Sequence, residues 1–124
     1  MEHAQIATIK SSTRSDVIDL SGKTDLLTLA ALVRKARLLI TVDSAPMHFA
    51  AAWGTPQVVL FGPTNPFGTA PVTPHCSIVQ QKPYCSPCFL RRCPTDHRCM
   101  TAITANMVEA AARPWLSSIQ VQRA

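Results

Sequence analysis

Residues 38–66, LLITVDSAPMHFAAAWGTPQVVLFGPTNP, read without a gap as strand, polar turn, short helix, strand and second polar turn. Residues 38–42 are a continuous apolar, β-branched run, the pattern of a parallel strand covered on both faces, and residues 57–61 repeat it. Between them, Ser44 is placed to cap a helix whose first turn tolerates Pro46, because the missing N–H would be unpaired there anyway. The helix is rich in small residues (Ala50, Ala51, Ala52) and ends at Gly54, with Pro56 beyond as a stop. In open α/β sheets ligands settle outside the carboxyl ends of the strands, where helix N-termini offer free backbone N–H groups to anions. Asp43, Ser44 and His48 sit at one such end, and Gly62, Pro63 and Thr64 at the next.

The rest of the chain supports the same class. Residues 17–20 read as a short buried strand running into the polar turn Ser21-Gly22-Lys23-Thr24. Leu26, Leu29, Ala30, Val33 and Ala36 then recur at helical spacing, with Arg34, Lys35 and Arg37 at the end where cations suit the helix dipole. Residues 4–11 read as the end of a helix, 65–75 as a Pro-rich loop, 77–80 as a short strand and 82–100 as a cysteine-rich loop. Ile103, Met107, Val108 and Ala111 mark a last helix, about 103–116, interrupted near Pro114. Strand and helix alternate, which predicts an α/β fold with a parallel sheet.

Composition narrows the function. With 124 residues and 47% hydrophobic content the chain holds one small core, and 15% charge with 10 Pro and only 4 Gly is not the signature of disorder. No apolar stretch reaches the length of a membrane span, and residues 1–10 lack the apolar run and cleavage site of a signal peptide, so a cytoplasmic chain is predicted. A net charge of +5 and a pI near 9.3 suit an anionic ligand or surface. The basic residues are dispersed, apart from Arg91, Arg92 and Arg98 among the cysteines, and no nucleic-acid motif with interleaved aromatics is present. Nucleic acid is not an expected partner.

Gly22-Lys23-Thr24 is not a phosphate-binding P-loop, because the upstream glycine of that motif falls on Val17. Cys85-x2-Cys88-x4-Cys93-x5-Cys99, with His97 in the last gap, has enough thiols for a tetrahedral zinc shell. Its second pair is not a Cys-x2-Cys knuckle, however, and a cytoplasmic setting disfavours disulfides. Metal, labile disulfide and reduced packing thiols all stay open. Reduced thiols are the expectation and no metal is assigned; Cys76 reads as a lone buried thiol.

DSAPMH with its small-residue helix, followed by GTPQVVLFGPTNP, resembles the donor-binding half of glycosyltransferase family 9, the lipopolysaccharide heptosyltransferases that use ADP-heptose. DLSGKTDLLTLAALVRKARLLITVDS upstream and CSPCFLRRCPTDHRCM downstream extend the resemblance to about residues 17–116. Ala45 departs from it, since many members carry Gly there. The resemblance implies a Rossmann-like sheet with flanking helices, the C-terminal half of a GT-B-type enzyme, and places the acceptor domain and the general base outside this chain. The central strand of this domain would likewise be absent, lying between the runs at 17–20 and 38–42. No catalytic residue and no cofactor is assigned here.

By the same resemblance the implied donor site comprises Asp43, Ser44, Ala45, Met47, His48, Gly62, Pro63 and Thr64, with Lys23 and Thr24 lining the nucleotide base. Backbone N–H groups near Ser44 and Ala45 would hold the diphosphate, His48 would add a donor, and Asp43 would accept from sugar hydroxyls. The simpler alternatives are that Asp43 is a helix cap, His48 an ordinary satisfied histidine and Lys23 a solvated charge. The implied partners are ADP-heptose and, through the absent domain, a lipopolysaccharide core acceptor, with peripheral contact at the cytoplasmic face of the inner membrane. A competing function from another class is a non-catalytic module that binds nucleotide, or a metal through Cys85, Cys88, Cys93 and Cys99.

Overall fold

The two apolar runs flanking the alanine-rich segment become neighbouring parallel strands. A computed structural model of the chain describes the backbone of residues 2–121 and the side chains of residues 4–117. Its elements are helices α1 (Glu2–Ser12) and α2 (Leu26–Lys35), strand β1 (Leu39–Val42), helix α3 (Ala45–Trp53), strand β2 (Gln57–Phe61), helix α4 (Pro66–Thr69), strand β3 (Cys76–Gln80), and helices α5 (Arg98–Thr101) and α6 (Ala105–Val121). The strands form one parallel sheet in the order β1-β2-β3, with Leu39 opposite Gln57 and Gln57 opposite Cys76. Parallel neighbours need a crossover, and α3 lies in the one between β1 and β2. The fold is α/β with a parallel sheet, as the alternation of patterns predicts, and the sheet is Rossmann-like, as the resemblance implies.

Successive side chains of a strand face opposite sides, and β2 uses both. Val59 and Phe61 pack with Met47 of α3, while Val58 packs with Val79 of β3 and Ala112 of α6. Helices therefore cover both faces of β2, and Val58, Val59 and Phe61 are completely buried. Each contributes about 1.5–3 kcal/mol by leaving water. Gln57 is equally buried, and its Nε2 donates to the Met47 carbonyl at 3.1 Å, tying the start of β2 to α3.

β1 departs from the expectation of a strand covered on both faces. Ile40 and Val42 are 52% and 46% exposed. Their register opposite Val58 and Leu60 puts them on the α6 side of the sheet, but α6 packs on β2 and β3. The other side of β1 is met by α3. Residues 17–20 depart further: they form no strand, and Ile18 is 82% exposed. Among the described residues the sheet ends at β1. Four residues with no neighbour to pair with cannot satisfy their backbone as a strand, and Asp19 instead closes a turn, accepting from the Ser21 N–H at 3.0 Å.

The helix termini follow local chemistry. Asp25 caps α2, accepting from the Thr28 N–H at 2.7 Å. Gly54 closes α3 in the left-handed conformation, φ 68°, with its N–H shared between the Ala50 and Ala51 carbonyls. Beyond it, the Thr55 hydroxyl donates to the Val33 carbonyl at 3.0 Å and Arg34 lies over the Trp53 ring, fixing α3 to α2. The Pro-rich loop at 65–75 contains α4. The last helix begins at Ala105, beyond Ile103, and runs through Pro114 without interruption. Pro114 is exposed, so the backbone group it leaves unpaired is open to water. Trp115, the next residue, donates from Nε1 to the Ser77 hydroxyl at 2.9 Å and holds the helix against β3 beyond the proline.

Candidate functional site

Because β1 and β2 are parallel and in register, Val42 opposite Leu60, their carboxyl ends open side by side. Asp43 leaves the first, and Gly62-Pro63-Thr64 the second. Together with Val42, Leu60 and Met100 they line one cavity of about 290 Å³. The Asp43 Oδ2 accepts from the Thr69 hydroxyl of α4 at 3.0 Å. The Thr64 Oγ1 is buried and has no hydrogen-bond partner, while the Thr64 carbonyl accepts from Gln80 Nε2 at 3.3 Å. That hydroxyl is fully enclosed by protein, so Thr64 lines the cavity with its other atoms.

The start of α3 adjoins this cavity in sequence. Ser44 occupies the cap position with extended backbone, φ −161°, but makes no side-chain cap bond. Its hydroxyl donates instead to the Val42 carbonyl at 3.1 Å. Of the two N–H groups a serine cap can satisfy, Pro46 has none and the Met47 N–H turns back to the Ser44 carbonyl at 3.2 Å, so neither is left for a ligand.

A second cavity, about 240 Å³, lies in the cysteine loop, where Cys85, Cys88, Cys93 and Cys99 all line it with His97. It shares Pro63 and Met100 with the first. The Pro63 carbonyl accepts from the N–H groups of both Cys88 (3.0 Å) and Phe89 (2.9 Å), and the Ser86 hydroxyl donates to the Gly62 carbonyl at 2.8 Å. These bonds hold Phe89 in the left-handed region, φ 56°. Gly62 carries the tightest packing: a Cβ there would fall 2.8 Å from Met100 Cγ and closer still to its sulfur. All five cysteines are free thiols. Burial, then the neighbouring Cys88, Cys93 and Cys85, pushes the Cys99 thiol up, while hydrogen bonds from Thr95 and the His97 N–H bring the Cys93 thiol down. Burial also raises Cys76, which packs against Met47, Val59 and Phe61. Among the described residues, no three His, Cys, Asp or Glu side chains are disposed to hold a cation.

The sequence model of glycosyltransferase family 9 (heptosyltransferase) matches residues 1–98. The chain belongs to glycosyltransferase family 9. It is similar to lipooligosaccharide heptosyltransferase 2 of Campylobacter jejuni subsp. jejuni serotype O:2, 33% identical over 104 residues, covering 82% of this chain and 33% of the relative. Similarity is higher over shorter spans. Lipopolysaccharide core heptosyltransferase OpsX of Haemophilus influenzae is 43% identical over 53 residues (43% of this chain, 15% of the relative). Lipopolysaccharide heptosyltransferase 3 of Escherichia coli is 51% identical over 49 residues (40% and 14%). The chain thus spans a third or less of the length of these relatives. No solved structure matches it.

For a family 9 chain, the residues singled out in the sequence divide into three groups. Asp43, Gly62, Pro63 and Thr64 come together on one cavity. Ser44, Ala45 and His48 form the cap and first turn of the adjoining helix, with His48 exposed. Asp43 is not the cap, since Ser44 holds that position. Met47 has a different part: its side chain is 1% exposed and belongs to the core, so its contribution beside the cavity is structural. Lys23 and Thr24 stand apart, in the turn before α2, and Lys23 Nζ donates to the Asp19 carbonyl at 3.0 Å. Two contributors carry no sequence signal. Met100 reaches Gly62 from 38 positions away and Thr69 reaches Asp43 from 26, and neither spacing belongs to a motif. Among the described residues, no helix is long and apolar enough to cross a membrane.

Proposed function

We propose that this chain binds the ADP-heptose donor of a heptosyltransferase that builds the lipopolysaccharide inner core. The observation that carries the reading is the convergence of Asp43 with Gly62, Pro63 and Thr64 on one cavity at the carboxyl ends of adjacent parallel strands, where α/β folds bind nucleotides. Family membership and the three heptosyltransferase relatives support the choice of sugar. Asp43 accepts from heptose hydroxyls, and the α3 start, through the Ala45 N–H, faces the diphosphate together with His48. As the glycosidic bond of the donor breaks, charge grows on the leaving diphosphate, and fixed N–H dipoles stabilise it most at that moment. The acceptor hydroxyl attacks the anomeric carbon from the opposite face, with inversion, and loses its proton to a base for which no residue here is assigned. Acceptor, base and any contact with the inner membrane belong to the remaining two thirds or more of the length seen in the relatives. On this reading the 124 residues bind donor without transferring it.

Calorimetric titration with ADP-heptose tests this. Asp43→Ala or His48→Ala is expected to weaken binding roughly ten- to a hundredfold, the worth of a charge-assisted hydrogen bond, about 1.5–3 kcal/mol. Unchanged affinity in both variants overturns the site assignment. Heptosyl transfer to a heptose-deficient lipopolysaccharide by the chain alone would overturn its restriction to donor binding.

A further inference from the structure

A carboxylate on a flexible side chain recognises a sugar only if it is aimed. The Asp χ2 torsion is broad and roughly two-fold, so the direction of the Asp43 carboxylate is set by its hydrogen bonds. The partner found is Thr69, whose hydroxyl lies 3.0 Å from Oδ2. The same hydroxyl lies 3.3 Å from the Asn65 carbonyl, one turn back in its own helix. Thr69 has one proton for two acceptors, and the shorter, charged one takes it. Oδ2 is then occupied by the protein, and Oδ1 is left to accept from a ligand.

Thr69 is itself held firmly. Asn65 caps α4 by accepting from the Phe67 N–H at 3.1 Å. The Ala70 N–H closes the helix onto the Pro66 carbonyl at 2.9 Å, and Ala70 packs against the cluster of Met47, Val59 and Phe61. The hydroxyl is thus referenced to the centre of the sheet, while Asp43 stands in the loop after its exposed edge strand.

We propose that Thr69 is a positioning residue for donor recognition: it fixes the Asp43 carboxylate so that one oxygen faces the sugar of a nucleoside diphosphate sugar. The inference rests on the donor-binding reading of Asp43 given above. Its specific consequence is that Thr69 discriminates sugar from nucleotide. Affinity for ADP-heptose depends on Thr69, whereas affinity for ADP, which lacks the sugar, does not.

The test is a double-mutant cycle on the chain, read by calorimetric titration with ADP-heptose and, separately, with ADP. Thr69→Val, which keeps the shape and removes the hydroxyl, is expected to weaken ADP-heptose binding roughly three- to tenfold and to leave ADP binding unchanged. Thr69→Ser restores the wild-type value. In an Asp43→Asn background, Thr69→Val is expected to add much less than it does alone, because its partner has already been altered. If Asp43→Asn weakens ADP-heptose binding while Thr69→Val does not, the inference fails and the donor-binding reading stands. If Asp43→Asn leaves ADP-heptose binding unchanged, it is the donor-binding reading that fails. Equal loss of ADP and ADP-heptose affinity in Thr69→Val, or full additivity with Asp43→Asn, identifies Thr69 as a structural residue and overturns the proposal.

Discussion

β1 and β2 are both short runs of β-branched and aliphatic residues, yet one is the centre of the molecule and the other its rim. Val58, Val59 and Phe61 of β2 lie between α3 and α6, while Ile40 and Val42 of β1 point from the α6 side of the sheet into solvent. The runs look alike in sequence because apolar character records only that a strand is fit to be buried. What covers it is settled by elements elsewhere.

The difference is measurable, and the largest effect is expected at β2. Phe61→Ala removes a fully buried ring and is expected to cost about 3–5 kcal/mol in urea unfolding, while Ile40→Ala costs under about 1 kcal/mol. Similar losses at the two positions would mean that β1 is covered in solution. Next in size is Gly62→Ala, whose Cβ collides with Met100. Since the obstacle is a flexible thioether, the loss is expected near 1 kcal/mol, and Met100→Ala in the same chain should recover part of it. A Gly62→Ala chain as stable as wild type would show that Met100 does not press on the strand exit. Ile40→Lys is expected to leave stability nearly unchanged but to reduce self-association in sedimentation velocity, because a charge blunts an open apolar edge. A wild-type chain that stays monomeric at high concentration removes the basis for that expectation.

The smallest effects concern the thiols. A lowered pKa means more thiolate at neutral pH, so iodoacetamide is expected to modify Cys93 well before the buried Cys99, whose pKa is raised. Peptide mapping over time reads the order, and the reverse order contradicts it. The thiols are expected to be reduced. About one zinc per chain after purification without chelator would overturn that expectation.

Much of this architecture is legible in the sequence alone. The strands at residues 39–42 and 57–61, the helix between them, its Gly54 terminus and the side-by-side exits at Asp43 and Gly62 all follow from local propensity and periodicity, which act over a few residues. The misreadings share a cause. Residues 17–20 have strand-like composition but no neighbour, so pairing fails and a turn forms. Pro114 signals a break that Trp115 overrides by anchoring the helix to Ser77. Thr69 and Met100 became visible only when the chain had brought together residues far apart in sequence, which no local pattern encodes.

The order of the strands bears on the time course of folding. Each strand pairs with its immediate successor, β1 with β2 and β2 with β3, so neither pairing waits for a distant segment to be synthesised. Leu39 and Gln57, and Gln57 and Cys76, are similarly spaced along the chain, so the two crossovers cost similar loop entropy to close. The unit from Leu39 to Phe61, which holds Asp43 and the α3 start, has its β1–β2 pairing available once Phe61 has left the ribosome, while the other edge of β2 waits for β3. Thr69 and β3 follow soon after. The candidate donor site can therefore take shape during synthesis, in the order in which its parts emerge.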